Sequence, residues 1–318
     1  MNQTYFCPLD DTGCLSLTGQ DAQMFLQGQV TCDVSQVSDT QGQPGAYCTP
    51  KGNVIANFDL VSHQHTFLLH MPLNMIASVQ MAMAKYIVFS KAEVKDSSDH
   101  WCRFALWGEA AAVFVAQLTG LEPQGRLSIG QFDEGFVWAN NSAGNEYVIY
   151  CQPKSKAALI QKFEEQAIVS NLQTWEALQI NQGRVYVTPE ISDSYVPQML
   201  NLQATGAINF KKGCYTGQEI VARMQYLGKL KRHLFIGQVN TAHGLAVGQQ
   251  IDASKRKNVG RVTSAASTGD NTYTFTAVIN RTEAEEDQLH LHEQEGATVR
   301  LLPLPYEIDP QVFERMKL

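Results

Sequence analysis

Several features that define common protein classes are missing from this sequence. Charged residues make up only 17% of the 318 residues. No apolar run approaches the roughly 20 residues that cross a bilayer as a helix. No Gly-rich phosphate loop, zinc-ligand spacing or Gly-x-Ser-x-Gly element occurs. The sequence therefore gives no support for a membrane protein, a P-loop enzyme or a serine hydrolase of the nucleophile-elbow type.

Cysteine pairing is also absent. The seven cysteines are odd in number and include no Cys-x-x-Cys pair, so we expect no disulfide framework. The N-terminal residues resemble no secretory signal, and together these observations predict a cytoplasmic protein. The pairs His63/His65 and His290/His292 lack a nearby third ligand, so no metal site is predicted.

The charge is unevenly distributed. A net charge of −7 argues against a general nucleic-acid coat protein, which would need a broad basic face. Between Lys211 and Arg232, however, six cations face the single acid Glu219, and Lys255–Lys257 forms a second basic cluster. Such a run is either a solvated face or a local anion site that suits a folate glutamate tail or an RNA phosphate.

The most informative segment is 210–220, Phe-Lys-Lys-Gly-Cys-Tyr-Thr-Gly-Gln-Glu-Ile. Thr216 and Glu219 have the spacing of a capping box, which predicts a helix starting at this point. Apolar residues then recur at helical spacing, and Gly228 supplies a stop. Cys214 is thus predicted to lie just before the positive end of a helix.

A thiol in this position has two interpretations. Free cysteines are usually buried and inert, so Cys214 can be an ordinary loop residue. The helix end, however, favours a thiolate by roughly 0.3–1 kcal/mol, and Lys211 or Lys212 would add to this. Gly213 and Gly217 flank the thiol and admit unusual backbone dihedrals and the close approach of another molecule. These surroundings favour a functional thiol.

One pattern occurs twice in the first half of the chain. Strands at Cys14–Leu17 and Arg103–Leu106 are each followed by a glycine, a helix, a hairpin and a second helix. This order predicts antiparallel sheets with helices on one face, the α+β class. The helices that follow the hairpins are predicted at 73–86 and 154–166, and a further helix carrying Trp175 at 171–183.

After Gly228 the sequence consists of short strand-like runs separated by turn residues, and this pattern predicts a small β-barrel or sandwich. The acidic run 283–287 is interpreted as a solvated loop. A chain of this length is expected to form two or three domains. We predict a first α+β unit at 1–100 completed by 173–228, a second at 101–172, and a C-terminal β-barrel at 229–318.

The segment 211–219, Lys-Lys-Gly-Cys-Tyr-Thr-Gly-Gln-Glu, resembles the signature of the YgfZ family. Further segments fit the same family along most of the chain: 18–22, 25–31, 51–53, 86–91, 197–198, 201–203 and 302–306. The family consists of folate-binding proteins related in fold to the T-protein of the glycine cleavage system, linked to tRNA modification and to the upkeep of iron–sulfur enzymes.

The resemblance implies a three-domain, T-protein-like ring of two ferredoxin-like α+β units and a small β-barrel, with folate in the central opening. It implies Cys214 as functional thiol, with Lys212 and Tyr215 beside it. For folate, a cofactor in tetrahydrofolate or related form, the candidate contacts are Trp175, Thr12, Asn57, Gly213, Gln218 and Arg223. From the residues alone, a core tryptophan on an amphipathic helix is the stronger interpretation of Trp175, and it is the family resemblance that favours a folate contact.

The sequence departs from the family pattern at three places. Thr12 stands where members can carry a folate-contacting tryptophan, and Asn181-Gln182-Gly183 stands where Glu-Ala-Gly is common. In aminomethyltransferases of this fold the hairpin near 54–59 contributes an aspartate close to folate, whereas this chain has Ala56 and Asn57. An asparagine cannot act as a general base, so we expect no glycine-cleavage activity.

Three functions follow as hypotheses. The first is a folate-dependent accessory factor that acts with iron–sulfur enzymes in tRNA modification, as a monomer without membrane contact. The second is an enzyme of the aminomethyltransferase or demethylating type. The third is a scaffold that binds RNA or a protein through the patch from Lys211 to Arg232. The chemistry of the thiol is left open among a mixed disulfide, a one-carbon acceptor and a transient cluster ligand.

Overall fold

The computed structural model describes residues 3–294 and 296–313. These residues form two compact units, one with the residues up to Gly45 and Phe58–Leu172, the other with Ala46–Asn57 and the residues from Gln173 onward. The three-domain division remains a prediction, and its ranges 1–100 and 229–318 extend beyond the described residues at the chain ends.

The α-helices of the described part are α1 Ala22–Gln27, α2 Ile76–Ile87, α3 Ala111–Thr119, α4 Lys156–Gln166, α5 Leu172–Asn181, α6 Gln218–Leu227 and α7 Arg281–Glu286. The strands are β1 Thr4–Pro8, β2 Thr12–Thr18, β3 Gln43–Cys48, β4 Val54–His63, β5 Thr66–Pro72, β6 Glu93–Asp96, β7 Cys102–Gly108, β8 Ile129–Phe132, β9 Gly135–Ala139, β10 Glu146–Cys151, β11 Ile168–Val169, β12 Arg232–Asn240, β13 Gln250–Ala253, β14 Arg256–Gly269, β15 Thr272–Asn280, β16 Leu289–Leu291 and β17 Thr298–Leu302.

The first unit is of the α+β class and contains two sheets with helices. One sheet has the order β11-β1-β7-β10-β9-β8 and the other the order β3-β4-β5-β2-β6. Phe114 of α3 and Phe163 of α4 pack onto apolar residues of the first sheet, among them Phe104 and Ile149. The two predicted strand–helix–hairpin–helix segments are confirmed. The N-terminal strand β1 pairs with β7 and so lies in the sheet that residues from 102 onward build.

The second unit carries the barrel. Six strands close in the order β12-β15-β14-β13-β16-β17 around an apolar core that includes Ile251, Val262 and Phe275. The barrel prediction is confirmed, although the short strand β13 was not predicted. The prediction of a solvated loop at 283–287 is wrong, because Asn280 accepts a hydrogen bond from the N–H of Thr282 and starts the helix α7.

Helices long and apolar enough to cross a membrane are absent from residues 3–294 and 296–313. The longest α-helix of the described part, α2, has only 12 residues.

Candidate thiol site

The cysteine loop, residues 209–217, is built on one asparagine side chain. Asn209 Oδ1 accepts hydrogen bonds from the backbone N–H groups of Lys211, at 2.8 Å, and Lys212, at 3.0 Å. An asparagine can hold a turn in this way because its short side chain reaches backbone two residues on. Asn209 was missed in the sequence analysis, although Asn two residues before a Lys-Lys-Gly run is a turn signal.

The helix α6 starts one residue later than its capping-box spacing predicts. Its N-cap is Gly217, with φ of 84° and no capping side chain; the prediction of a Thr216–Glu219 box is wrong. Gln218 instead closes the turn: its N–H donates to Tyr215 O at 3.1 Å, and its Oε1 accepts from Tyr215 N–H at 3.3 Å. The predicted helix itself is confirmed, with Gly228 at its end.

The start of α6 lies directly against the turn at 49–52. A Cβ atom on Gly217 would come within 2.5 Å of the Thr49 carbonyl oxygen, and one on Gly52 within 2.8 Å of Ile220 Cβ. Both glycines have positive φ, 84° and 78°. Two glycines therefore face each other where two backbones need to approach closely, and the cysteine loop is held against a fixed turn.

Burial alternates sharply along the loop. Lys212 and Tyr215 are 9% and 7% exposed, whereas Gly213 and Cys214 are exposed. The Lys212 ammonium lies 5.3 Å from the centroid of the Tyr215 ring, a cation–π contact. Burial, and secondarily the neighbouring thiol of Cys48, raise the pKa of Tyr215 above its ordinary value. Its phenol is therefore a neutral anchor, and Cys214 is the side chain presented to solvent.

Cys214 also differs from the other six cysteines. Five of these are buried and Cys102 is half-buried. Burial raises the pKa of Cys14, Cys48 and Cys151 to about 12 in each case, so these three are protonated and unreactive at neutral pH. Cys214 is thus the one fully exposed thiol of the seven.

Hydrogen bonds of three side chains, those of Gln198, Asn201 and Tyr306, connect the helix α6 with distant parts of the second unit. The Gln198 amide donates to Val221 O in the first turn of α6, at 2.7 Å. The Asn201 amide donates to Leu234 O at 2.9 Å and to the Tyr306 hydroxyl at 3.2 Å. The Tyr306 hydroxyl in turn donates to Gly183 O at 2.9 Å. Segments that are far apart in sequence thus share one hydrogen-bonded network that fixes α6 and the end of α5.

The predicted folate residues occupy different environments. Trp175 lies on α5 and is 6% exposed. Asn57 is buried, and its amide bonds main chain on both sides, donating to Val185 O and accepting from Val187 N–H, both at 2.7 Å. Arg223 is exposed on α6. Thr12 lies in the first unit and donates to Leu9 O at 2.9 Å. Asn57 thus has a clear structural role, and ligand contacts at these positions remain predictions.

Unpaired amide groups lie close to the network. Both polar atoms of the Gln203 side chain, Asn201 Oδ1 and Gln198 Oε1 are buried and make no hydrogen bond within residues 3–294 and 296–313. An unpaired buried amide costs about 1–3 kcal/mol. Such groups mark positions where a water molecule or a ligand completes the structure. From the sequence, these residues were noted only as parts of the family segments 197–198 and 201–203.

A second arrangement in the first unit looks catalytic but is sealed. Cys14 and Asp59 are the direct cross-strand neighbours of His70 in the sheet. All three are at most 3% exposed, His70 Nδ1 lies 2.7 Å from the Tyr150 hydroxyl, and Asp59 pairs with Arg126 at 3.2 Å. The high pKa of Cys14 and the lack of access make this row a buried polar network rather than a nucleophilic site.

Comparison with known proteins agrees with the sequence resemblance. No family model matches the chain. The tRNA-modifying protein YgfZ of Colwellia psychrerythraea is 37% identical over 234 residues, which is 73% of this chain and 71% of the relative. The protein of the same name from Sodalis glossinidius is 30% identical over 307 residues, 94% of this chain and 92% of the relative. The chain belongs to the YgfZ family.

A YgfZ relative from Escherichia coli O7:K1 is 29% identical over 95% of this chain and 93% of its own. Among solved structures, the glycine cleavage system aminomethyltransferase T from Bartonella henselae has a TM-score of 0.73 at 14% identity, covering 94% of this chain and 84% of that one. At that identity the likeness concerns the fold alone. The predicted family and the T-protein-like fold are both confirmed.

Proposed function

We propose that this protein is a folate-binding accessory factor for tRNA modification and for assembly or repair of iron–sulfur enzymes in the cytoplasm, with Cys214 as its functional thiol. The observation that carries the proposal is the presentation of one exposed thiol on a rigidly supported loop. The name shared by the relatives supports the tRNA part. The family resemblance in the sequence is the basis for folate and for the iron–sulfur enzymes as indirect partners.

The thiol is tested by Cys214→Ser. We expect the variant to lose all complementation in a strain that lacks its own YgfZ, because serine can neither form a disulfide nor ligate a cluster. Thermal unfolding is expected to be unchanged, since the side chain is exposed. Levels of modified tRNA nucleosides, measured by mass spectrometry, give the readout.

Cys102→Ser is the matched control for this variant, because Cys102 is the next most accessible cysteine and lies in the other unit. It is expected to complement normally. Full activity of Cys214→Ser would remove the thiol from the proposal.

The residues present fit a folate. A pterin edge offers N–H donors and a carbonyl acceptor, and the Gln203 amide has both an unpaired donor and an unpaired acceptor. Gln203 and Asn201 would hold such an edge, and the aromatic face of Trp175 would cover the ring. When bound, a reduced folate would supply one-carbon chemistry. This chain's own residues would bind and orient it, and Lys212, two residues before Cys214, and Arg223 on α6 would contribute positive charge.

Folate binding is tested with Trp175→Phe. We expect calorimetric titration with tetrahydrofolate to show binding that the substitution weakens by at most about 10-fold, because phenylalanine keeps part of an aromatic stacking gain of about 0.5–1.5 kcal/mol. Trp107→Phe is the control, since Trp107 is also 6% exposed but lies in the first unit. Equal weakening by both substitutions, or no binding of any reduced folate to the unchanged protein, would contradict the folate assignment.

The aminomethyltransferase alternative draws on the shared fold but lacks a base. Ala56 has no polar group, and the Asn57 amide is bonded to main chain on both sides. The next acid along the strand, Asp59, is 1% exposed and paired with Arg126. With no accessible carboxylate in this segment, turnover of a methylamine donor is not expected.

A further inference from the structure

A basic cavity of about 600 Å³ lies in the second unit at the end of α6 that is remote from the thiol. Its lining includes four cations, two acids and an aromatic ring: Lys229, Lys231, Arg256, Arg281, Glu283, Glu285 and Phe313. These cations include members of both basic runs of the sequence, 211–232 and 255–257. The structure selects two lysines of the first run and one arginine of the second for this cavity.

The two lysines are held on a fixed segment of main chain. Leu230, which separates them, is 2% exposed, and its N–H donates to Val312 O at 3.0 Å. The carbonyl oxygen of Lys231 accepts from Arg281 N–H at 2.9 Å. Because Leu230 is anchored, the main chain at Lys229 and Lys231 is held in place. Both lysine side chains are exposed.

The ion pairs of the cavity leave an excess of positive charge. Arg256 pairs with Glu283 at 2.8 Å, and Arg281 pairs with Glu285 at 2.7 Å. The Arg281 guanidinium also lies 4.5 Å from the centroid of the Phe313 ring. Lys229 and Lys231 make no ion pair within the part of the chain that the structure describes. The two acids therefore hold the arginines in place, and the two lysines are available for an external anion.

One further atom in the cavity needs a hydrogen-bond donor. Glu283 Oε2 is buried and has no partner within residues 3–294 and 296–313, although Oε1 of the same carboxylate is held by Arg256. The phosphodiester groups of a nucleic-acid backbone bring no such donor, because they are fully ionised at neutral pH and carry no O–H. A ribose carries one, because its 2′-hydroxyl both donates and accepts. Along an RNA strand phosphates and riboses alternate, so the lysines would contact a phosphate and Glu283 Oε2 would accept a hydrogen bond from a neighbouring ribose hydroxyl.

The position of the cavity relates it to the thiol through α6. Lys229 follows the C-terminal end of this helix, and Cys214 precedes its N-terminal end. A helix of ten residues is about 15 Å long. A tRNA is much longer than this, so a single molecule can occupy the cavity and still extend to the thiol.

We propose that the basic cavity binds the ribose–phosphate backbone of RNA, and that it positions a tRNA, or the tRNA of an enzyme–tRNA complex, relative to Cys214. This proposal rests on the proposed role in tRNA modification and deepens it, because it assigns the direct RNA contact to the residues around Lys229 and Lys231. The site recognises backbone, so affinity is expected to depend steeply on salt and little on sequence.

The test is a titration of fluorescently labelled tRNA with the full chain at several salt concentrations. The double substitution Lys229→Gln/Lys231→Gln is compared with Lys255→Gln/Lys257→Gln, which removes the same charge from exposed residues that do not line the cavity. We expect the first to lower affinity about 10-fold and to reduce the slope of log K against log salt by about 1.4–1.8, the contribution of two phosphate contacts. The second is expected to change neither quantity by more than about twofold.

Equal losses in the two double variants would overturn the proposal, since they would indicate general attraction rather than a site. Failure of the unchanged protein to bind tRNA at low salt would also overturn it, while leaving the Cys214→Ser complementation result to decide the proposed function separately.

A DNA strand of the same sequence is expected to bind several-fold more weakly than RNA. Equal binding, or displacement of the tRNA by a poly-γ-glutamate peptide, would exclude ribose recognition. Unchanged melting temperatures, expected for these exposed lysines, show that each variant is folded.

Discussion

A Gly217→Ala substitution is expected to destabilise the protein by about 2–5 kcal/mol and to abolish complementation. Gly217 has a φ of 84°, and an added Cβ would lie 2.5 Å from the Thr49 carbonyl oxygen. The left-handed backbone costs an alanine about 1–2 kcal/mol, and the steric conflict with a backbone atom costs about 1–3 kcal/mol more. The turn at 49–52 cannot yield easily, because it is closed by a Gly52 N–H to Thr49 O hydrogen bond of 2.8 Å.

Two other glycines of the second unit separate these contributions. Gly206 has a φ of 80° with nothing within 4 Å of a Cβ, so Gly206→Ala is expected to lose only the backbone part. Gly213 has neither a positive φ nor a close neighbour, so Gly213→Ala is expected to be close to neutral in stability. Urea unfolding of all three variants gives the measurement. If Gly217→Ala were no worse than Gly206→Ala, the close packing of the cysteine loop on the turn would be wrong.

Stability is expected to fall by about 3 kcal/mol between pH 6.5 and 4 on account of His233 alone. Burial, and then the charge of Arg281, lower the pKa of this histidine to about 4 from the ordinary value of 6.5. The ring is 6% exposed, lies against Phe235 at a centroid distance of 4.0 Å, and its Nδ1 lies 3.0 Å from Leu234 O.

The direction follows from the two protonation states. In this pH window the unfolded chain binds a proton at His233 and the folded chain does not, so acid favours unfolding. The contribution is fully present above the unfolded pKa and is lost as the pH falls through the window. A histidine is therefore placed where a neutral ring is needed, beside the arginine that lines the basic cavity.

The measurement is urea unfolding at a series of pH values for the unchanged protein and for His233→Asn, whose amide can replace the Nδ1–H donor. The difference between the two pH dependences isolates His233 from the carboxylates that titrate nearby. Parallel curves for the unchanged protein and His233→Asn would show that the ring is not held neutral.

The sequence was sufficient to predict elements whose signal is local. The strand at β7, the hairpin of β9 and β10, and the helix α6 each carry an apolar period bounded by glycine or turn residues, and each lies where it was predicted. The short strand β13 was missed because only part of it contacts the barrel core. The acidic run at α7 lacks an apolar face, and a single N-cap at Asn280 was enough to start a helix there.

The parts of the site that lie within one sequence motif could be predicted. The parts that depend on contacts between distant segments could not. Cys214 stands out from its neighbours in the sequence, whereas the roles of Asn209 and Gly217 depend on backbone geometry. The capping-box prediction failed because Gly217 must adopt a positive φ against Thr49, and this contact overrides local spacing. Tyr306 was noted only as part of a family segment, since its partners Asn201 and Gly183 are distant in the chain.

The second unit is assembled from segments that are far apart in the sequence, and this affects how it forms during synthesis. Its turn at 49–52 leaves the ribosome early, but the loop it supports comes much later, and Tyr306 later still. Until Tyr306 emerges, Asn201 and Gly183 lack their shared partner. Assembly of such distant segments is slow, because loop closure must precede the contacts that reward it. The cysteine loop can therefore pack against the turn at 49–52 only after Gly217 has been synthesised, and Tyr306 completes the network around Asn201 later still.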